Sequence, residues 1–168
     1  IENWKKDFLS DDLKTVQKSA DNLVKIGGDN VVKFLIELLE LEHEEKRNIV
    51  ALALRDLKNN KAIEPILKSI FKSENKDYNG TMVYALQELN CKDKLVEIFK
   101  ILFFQGYEAK LLAYNILDEQ IFEFKKDDLI EIQKMWKEYN RNPDKNEETI
   151  KMVKDAYEGY IEYLKEEK

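Results

Sequence analysis

Apolar residues recur along this chain at helical spacing, in blocks that return after about thirty residues. Leu23, Ile26, Val32, Leu35, Ile36 and Leu39 overlay Leu54, Leu57, Ile63, Ile66, Leu67 and Ile70, and then Leu86, Leu89, Leu95, Ile98, Phe99 and Leu102. Ala113 and Leu117 begin a weaker fourth copy. Within a block the apolar positions step by three and four on both sides of a short polar break, so each block predicts two helices, each burying one stripe. Units of this kind bury their faces by stacking, which predicts an all-α solenoid. The units are expected over about 11–42, 44–73, 76–105 and 107–140, with a C-terminal capping helix over 144–166.

Local signals divide the blocks. Ser10 is the expected N-cap of the first long helix, with Asp11 and Asp12 in its first turn, and Gly27-Gly28 ends it. Its partner runs from Asn30 to Leu41. Asn59-Asn60 turns the second block, and Pro65 fits near the start of a helix, where amides lack intrahelical acceptors. Ser73–Asp77 separates the second block from the third, which turns near Asn90 and resumes over Lys94–Phe104, and Gly106 opens the fourth. Asp127 and Asp128 begin a further helix, and Asn140–Pro143 breaks the chain. Asp144 and Glu147 have capping-box spacing ahead of a stripe of Ile150, Val153, Tyr157, Tyr160, Ile161 and Leu164. Trp4, Phe8 and Leu9 are expected to cover the other end of the core, and Lys165–Lys168 to fray.

The second block resembles a known family. Arg47-Asn48-Ile49-Val50-Ala51-Leu52-Ala53-Leu54-Arg55-Asp56-Leu57, followed by Asn59-Asn60-Lys61-Ala62-Ile63-Glu64-Pro65-Ile66-Leu67, is similar to a short bacterial HEAT-like repeat. Such repeats carry an Arg, an Ala-rich first helix, a polar turn and an Ala-Ile-x-Pro-x-Leu second helix. The likeness spans roughly Val16–Leu117, with Glu97 at the proline position of the third block and no basic residue beside Tyr78 and Asn79 to match Arg47. It implies a right-handed α-α superhelix of about four helix pairs, whose second helices line the concave face. Lys33, Glu37, Glu40, Glu64, Lys68, Lys72, Lys94, Glu97 and Lys100 would then share a face of mixed charge.

Composition narrows the function. The net charge of −6 opposes the replacement of phosphate counterions that nucleic-acid binding needs, and it favours a basic protein partner. Lone Cys91 excludes an internal disulfide and fits a reducing, cytoplasmic setting. No run of about eighteen apolar residues predicts a membrane span. The opening Ile1–Asp7 lacks a signal peptide's apolar stretch, and a chain starting on Ile leaves room for a leader removed before it.

Candidate chemistry is thin. His43-Glu44-Glu45-Lys46-Arg47 opens like a zinc-protease helix, yet the position one turn on is Arg47, so no metal site is expected. A nucleophile pair would need Cys91 and His43, which fall in different blocks; Cys91 reads as structural and His43 as solvated. Asn75–Gly80 alternates oxygen donors like a calcium loop, but the twelfth place is Leu86, so an inter-block turn is expected. The adjacent acids Asp11/Asp12, Glu44/Glu45, Asp127/Asp128 and Glu147/Glu148 suit helix starts better than acid–base catalysis. No cofactor loop is present among the sequence motifs.

Recognition is therefore the expected role, through two candidate patches: the acidic cluster Glu37, Glu40, Glu42, Glu44 and Glu45, and the aromatic cluster Phe103, Phe104 and Tyr107. Size, charge and the family likeness are similar to those of immunity proteins, which neutralise a cognate toxin; against a nuclease toxin an acidic surface would mimic phosphate. Two alternatives share the scaffold. HEAT-like DNA glycosylases would need a basic groove, with Trp136 and Asp118 or Asp127 beside the lesion. A scaffold or lyase-like subunit would act on a tetrapyrrole-carrying protein.

Overall fold

Asp12 starts the first long helix by accepting hydrogen bonds from the Lys14 amide (3.2 Å) and the Thr15 hydroxyl (2.7 Å). Those two bonds, the hydroxyl's first, hold its carboxyl below the usual range. The cap is thus Asp12, two residues later than Ser10, whose hydroxyl instead accepts from the Asp12 amide. The helix, Leu13–Ile26, ends where Gly27 and Gly28 take φ of 64° and 89° in succession. Side chains rarely adopt that left-handed conformation, so both glycines serve the reversal into the next helix. Ile26, the last residue before the reversal, is exposed, which removes it from the expected core stripe.

The computed structural model describes residues 2–166, and of Glu2 only the backbone. It is all-helical: the described residues form helices and turns, with no strand. The chain divides into two compact units, residues 1–89 and 90–168. The first contains α1 (Glu2–Phe8), α2 (Leu13–Ile26), α3 (Asp29–Leu38), α4 (Glu44–Asp56), α5 (Ile63–Ile70) and α6 (Gly80–Leu86). The second contains α7 (Leu95–Phe104), α8 (Tyr107–Glu119), α9 (Lys126–Tyr139), α10 (Glu147–Ile161) and α11 (Tyr163–Glu166). Glu167 and Lys168, part of the tail expected to fray, lie outside the described residues, while Lys165 and Glu166 are helical.

In the first unit α4 packs against α2, α3 and α6, and α5 packs against α6. Ala51 and Ala53 let the neighbouring helices approach α4, whose Val50 and Leu54 are fully buried, as are Val16, Leu23, Leu35 and Leu86 of the helices in this unit. Phe8 is buried and Trp4 half-buried, and both rings meet Phe34, at 5.9 and 5.8 Å. Leu9, expected beside them, is exposed, because it follows the end of α1.

Helix ends leave carbonyls without intrahelical partners, and in this unit buried side chains take them. Arg47 Nη1 donates to the carbonyls of Leu41 (2.9 Å) and Glu42 (3.1 Å) in the turn after α3. α3 stops at Leu38 and not at the expected Leu41, because the amides of Leu39, Glu40 and Leu41 bond three residues back and tighten into a turn. After α5, Asn75 Nδ2 donates to the Ser69 carbonyl (2.8 Å) and Asn79 Nδ2 to that of Ile70 (3.0 Å). The calcium-like loop is thereby spent on helix capping, with Asn75 and Asn79 both buried.

The second unit repeats the device with a lysine. Lys110 Nζ donates to the carbonyls of Leu102 (3.1 Å) and Phe103 (2.7 Å) at the end of α7, and pairs with Asp144 at 3.0 Å. Its side chain is only 5% exposed. Tyr139 lies beneath it, the ammonium 5.3 Å from the ring centre, and its hydroxyl donates to the same Asp144 carboxylate at 3.0 Å. Burial first, then that hydrogen bond, pushes the Tyr139 phenol up to about 12. Asp144 therefore does not open a capping box with Glu147. Asn146 caps α10, its Oδ1 accepting from the Thr149 amide at 3.0 Å.

Around Lys110, α7 packs on α8 and α9, and α10 on both α8 and α9. Phe103 lies within 6.5 Å, centre to centre, of the rings of Phe99, Trp136, Tyr139 and Tyr157, and Trp136 stacks on Tyr157 at 4.4 Å. These rings supply apolar area that α7, with six of its ten residues buried, needs on every side.

Removing one partner of a buried ion pair strands the other charge. Lys110→Met is expected to cost about 3 kcal/mol in urea unfolding, and adding Asp144→Asn to recover part of the loss. A Lys110→Met loss under about 1 kcal/mol, no more than an ordinary surface pair contributes, would refute this account.

Candidate functional site

The acidic cluster meets a groove. In the first unit the turn after α3, the start of α4 and the segment after α5 enclose a cavity of about 500 Å³. Leu39, Leu41 and the buried Asn75 contribute to its wall, and Glu40, Glu42, Glu44 and Glu74, all exposed, supply its carboxylates. Tyr78 also lines it and is 56% exposed, an amphipathic ring of the kind that anchors interfaces.

Arg47 organises this geometry. It is the fourth residue of α4, and its guanidinium is buried against the turn that carries Glu40 and Glu42. Two charge-assisted bonds to consecutive carbonyls fix the backbone of that turn, and with it the origin of both side chains. Among the described residues Arg47 Nε has no hydrogen-bond partner. His43 closes the turn on the other side: its Nδ1 accepts from the Lys46 amide at 3.5 Å, as the N-cap of α4. Glu44 and Glu45 follow in the first turn, where the helix dipole favours them.

The charges do not cancel. Lys72 Nζ pairs with Glu40, and its hydrogen bond lowers the Glu40 carboxyl below the usual range, with the charges of Lys72 and Lys68 adding to it. Glu42 and Glu44 have no ion-pair partner among the described residues. Four carboxylates thus face Lys72 and a deeply buried Arg47, leaving the rim acidic. Such a rim attracts cations and lowers the cost of docking a basic surface.

Of the sequence-predicted acids, Glu40, Glu42 and Glu44 come together here, while Glu37 and Glu45 are exposed outside the groove lining. Lys72, expected to share a face with Glu40, lines the groove with it, while Glu74 and Tyr78 belong to neither expected patch. The signal for Glu74 was in the period, since Lys72 and Glu74 follow Glu40 and Glu42 by thirty-two residues.

The aromatic cluster does not form a surface patch. Phe103 is buried at 2% exposure in the ring core of the second unit, and Phe104 is half-buried against it at 5.9 Å. Tyr107 alone of the three is exposed, because it opens α8 on the solvent side of Gly106. Trp136 belongs to the same ring core, while Asp127 lies in the first turn of α9 and Asp118 on the exposed end of α8.

Cys91 and His43, weighed together as a nucleophile pair, belong to different units. Cys91 is fully buried, and burial first, then the charge of Asp93, pushes its thiol up to about 12, so it stays protonated and weakly nucleophilic. His43 is committed to its helix cap. Among the described residues no group of three or more His, Cys, Asp or Glu is placed to hold a metal ion, and no helix is long and apolar enough to cross a membrane.

If Arg47 fixes the turn, Arg47→Met should lower stability by about 2 kcal/mol and raise amide exchange across Leu39–Glu44 with α10 unchanged. Unchanged exchange in that turn would show that the guanidinium is dispensable for its shape. No protein-family model matches the chain, and comparison with curated proteins finds no match.

Proposed function

We propose that this chain is a non-catalytic protein-binding module that docks a basic partner in the acidic groove, in the manner of an immunity protein neutralising a toxin. One observation carries the reading: Glu40, Glu42, Glu44 and Glu74 line one groove with Tyr78, and Lys72 neutralises only the first of them. A nuclease toxin is the partner class that fits best, because a site built for phosphate carries the basic residues that such a rim complements.

The scaffold reading that accompanies it is a HEAT-like solenoid of about four helix pairs. Its support is regular spacing within each unit. The ion pairs Asp29–Lys61, Glu40–Lys72 and Lys58–Glu88 in the first unit, and Lys92–Glu123 in the second, all join residues about one period apart. Arg47 and Lys110 are each the fourth residue of their helix and each clasp carbonyls of the turn or helix just before it.

Affinity capture from the source cells at low salt, followed by identification of what is retained, tests the docking. Wild type is expected to retain a basic protein that elutes with rising salt, and Glu42→Lys/Glu44→Lys/Glu74→Lys to lose it at least ~30-fold in affinity. A partner held equally by the charge-reversed variant would place recognition elsewhere. Tight, salt-sensitive capture of DNA would favour the glycosylase alternative.

A further inference from the structure

The second unit has its own cleft, of about 450 Å³, between the end of α8, the non-helical segment 120–125 and α10. Its wall is aromatic. Tyr160 meets Phe122 at 6.2 Å and Phe124 at 5.8 Å, and Phe124 meets Tyr163 at 5.3 Å, all edge to face. The Tyr160 hydroxyl donates to the Leu117 carbonyl at 3.3 Å, which fixes the central ring.

Charge selects among possible occupants. Asp118 and Asp155 line the cleft, and no Lys or Arg among the described residues does. Asp155 bonds Lys151 at 3.2 Å, whereas Asp118 has no ion-pair partner among the described residues. Its charge reaches the rings: burial, then Tyr163, then Asp118 push the Tyr160 phenol up to about 12. Aromatic faces with one uncommitted carboxylate attract an organic cation over an anion or a neutral group.

Shape selects the cation's carrier. Ile121 at the rim is 89% exposed and Tyr163 50% exposed, and a Cβ on Gly159 would meet nothing within 4 Å. The cleft is open along this side, so a free amine would stay half-solvated, while a polypeptide would also cover Ile121. A planar guanidinium can lie flat on a ring while its edge offers a carboxylate two parallel bonds, whereas an ammonium such as that of Lys110 meets both only as a point charge.

We propose that this cleft binds an arginine side chain presented by a partner polypeptide, with Asp118 pairing the guanidinium and the aromatic wall receiving its plane and stem. This site is independent of the groove in the first unit and stands or falls without it.

The test is an NMR titration of the full chain with three probes: Ac-Ala-Ala-Arg-Ala-Ala-NH2, the same peptide with neutral citrulline for arginine, and free methylguanidinium. The arginine peptide is expected to shift Ile121, Phe122 and Gly159 and to saturate at about millimolar concentration, ahead of both other probes. Asp118→Asn should weaken it by about five-fold, the scale of one exposed pair. Gly159→Leu, which fills the open wall, should abolish the shifts and leave the rest of the spectrum in place. Equal binding of the citrulline peptide would overturn the charge assignment, and equal binding of methylguanidinium would overturn the polypeptide. Shifts confined to Glu42 and Glu44, or undiminished binding by Gly159→Leu, would overturn the site itself while leaving the acidic groove standing.

Discussion

Carbonyls at the end of a helix or in the turn that follows it must find donors, and this chain meets that demand three times with a buried side chain from the next helix or the turn before it. Arg47 takes Leu41 and Glu42, Asn75 and Asn79 take Ser69 and Ile70, and Lys110 takes Leu102 and Phe103. Each clasp lets a helix stop abruptly without stranding polar groups, so that connections stay short and the next helix packs directly. The chemistry differs by setting. An arginine reaches two consecutive carbonyls, a pair of amides does so without charge, and a lysine needs Asp144 and the Tyr139 ring to be held in a site that is 95% closed.

The clasps link the fold to the proposed docking groove. The Arg47 bonds set the turn from which Glu40 and Glu42 project, His43 starts α4 at its edge, and Asn75 holds the segment that brings Glu74 and Tyr78 to the same groove. A rim placed by backbone anchoring spends little conformational entropy on binding, which is what a high-affinity protein inhibitor requires. The functional reading therefore rests on a groove whose walls are constrained by structural bonds.

The helical stripes were legible from the sequence because burial repeats every three or four residues. All but one of the residues in the three full apolar blocks are buried or half-buried, Ile26 being the exception. The clasps were less legible. Asn75 and Asn79 look like loop oxygens, and their amide nitrogens act only because α5 ends within reach. Asp144 has cap spacing, but Asn146 is the stronger cap and frees the carboxylate for Lys110, thirty-four residues earlier. For the groove, local charge density revealed Glu40, Glu42 and Glu44 and hid Glu74, which only a comparison one period along would have added. Phe103 is the converse case: aromatics clustered beside a glycine fit either an exposed patch or burial, and the rings of Trp136, Tyr139 and Tyr157, far along the chain, cover it.

The central claim is that structural anchoring of the turn by Arg47 creates the recognition surface. Calorimetric titration of the captured basic partner against wild type and folded Arg47→Met tests it most directly, because Arg47 is buried and the carboxylates themselves are untouched. The account predicts affinity reduced about ten-fold or more with the helical circular dichroism retained, the equivalent of about 1.4 kcal/mol. Equal affinity in the two proteins would contradict it.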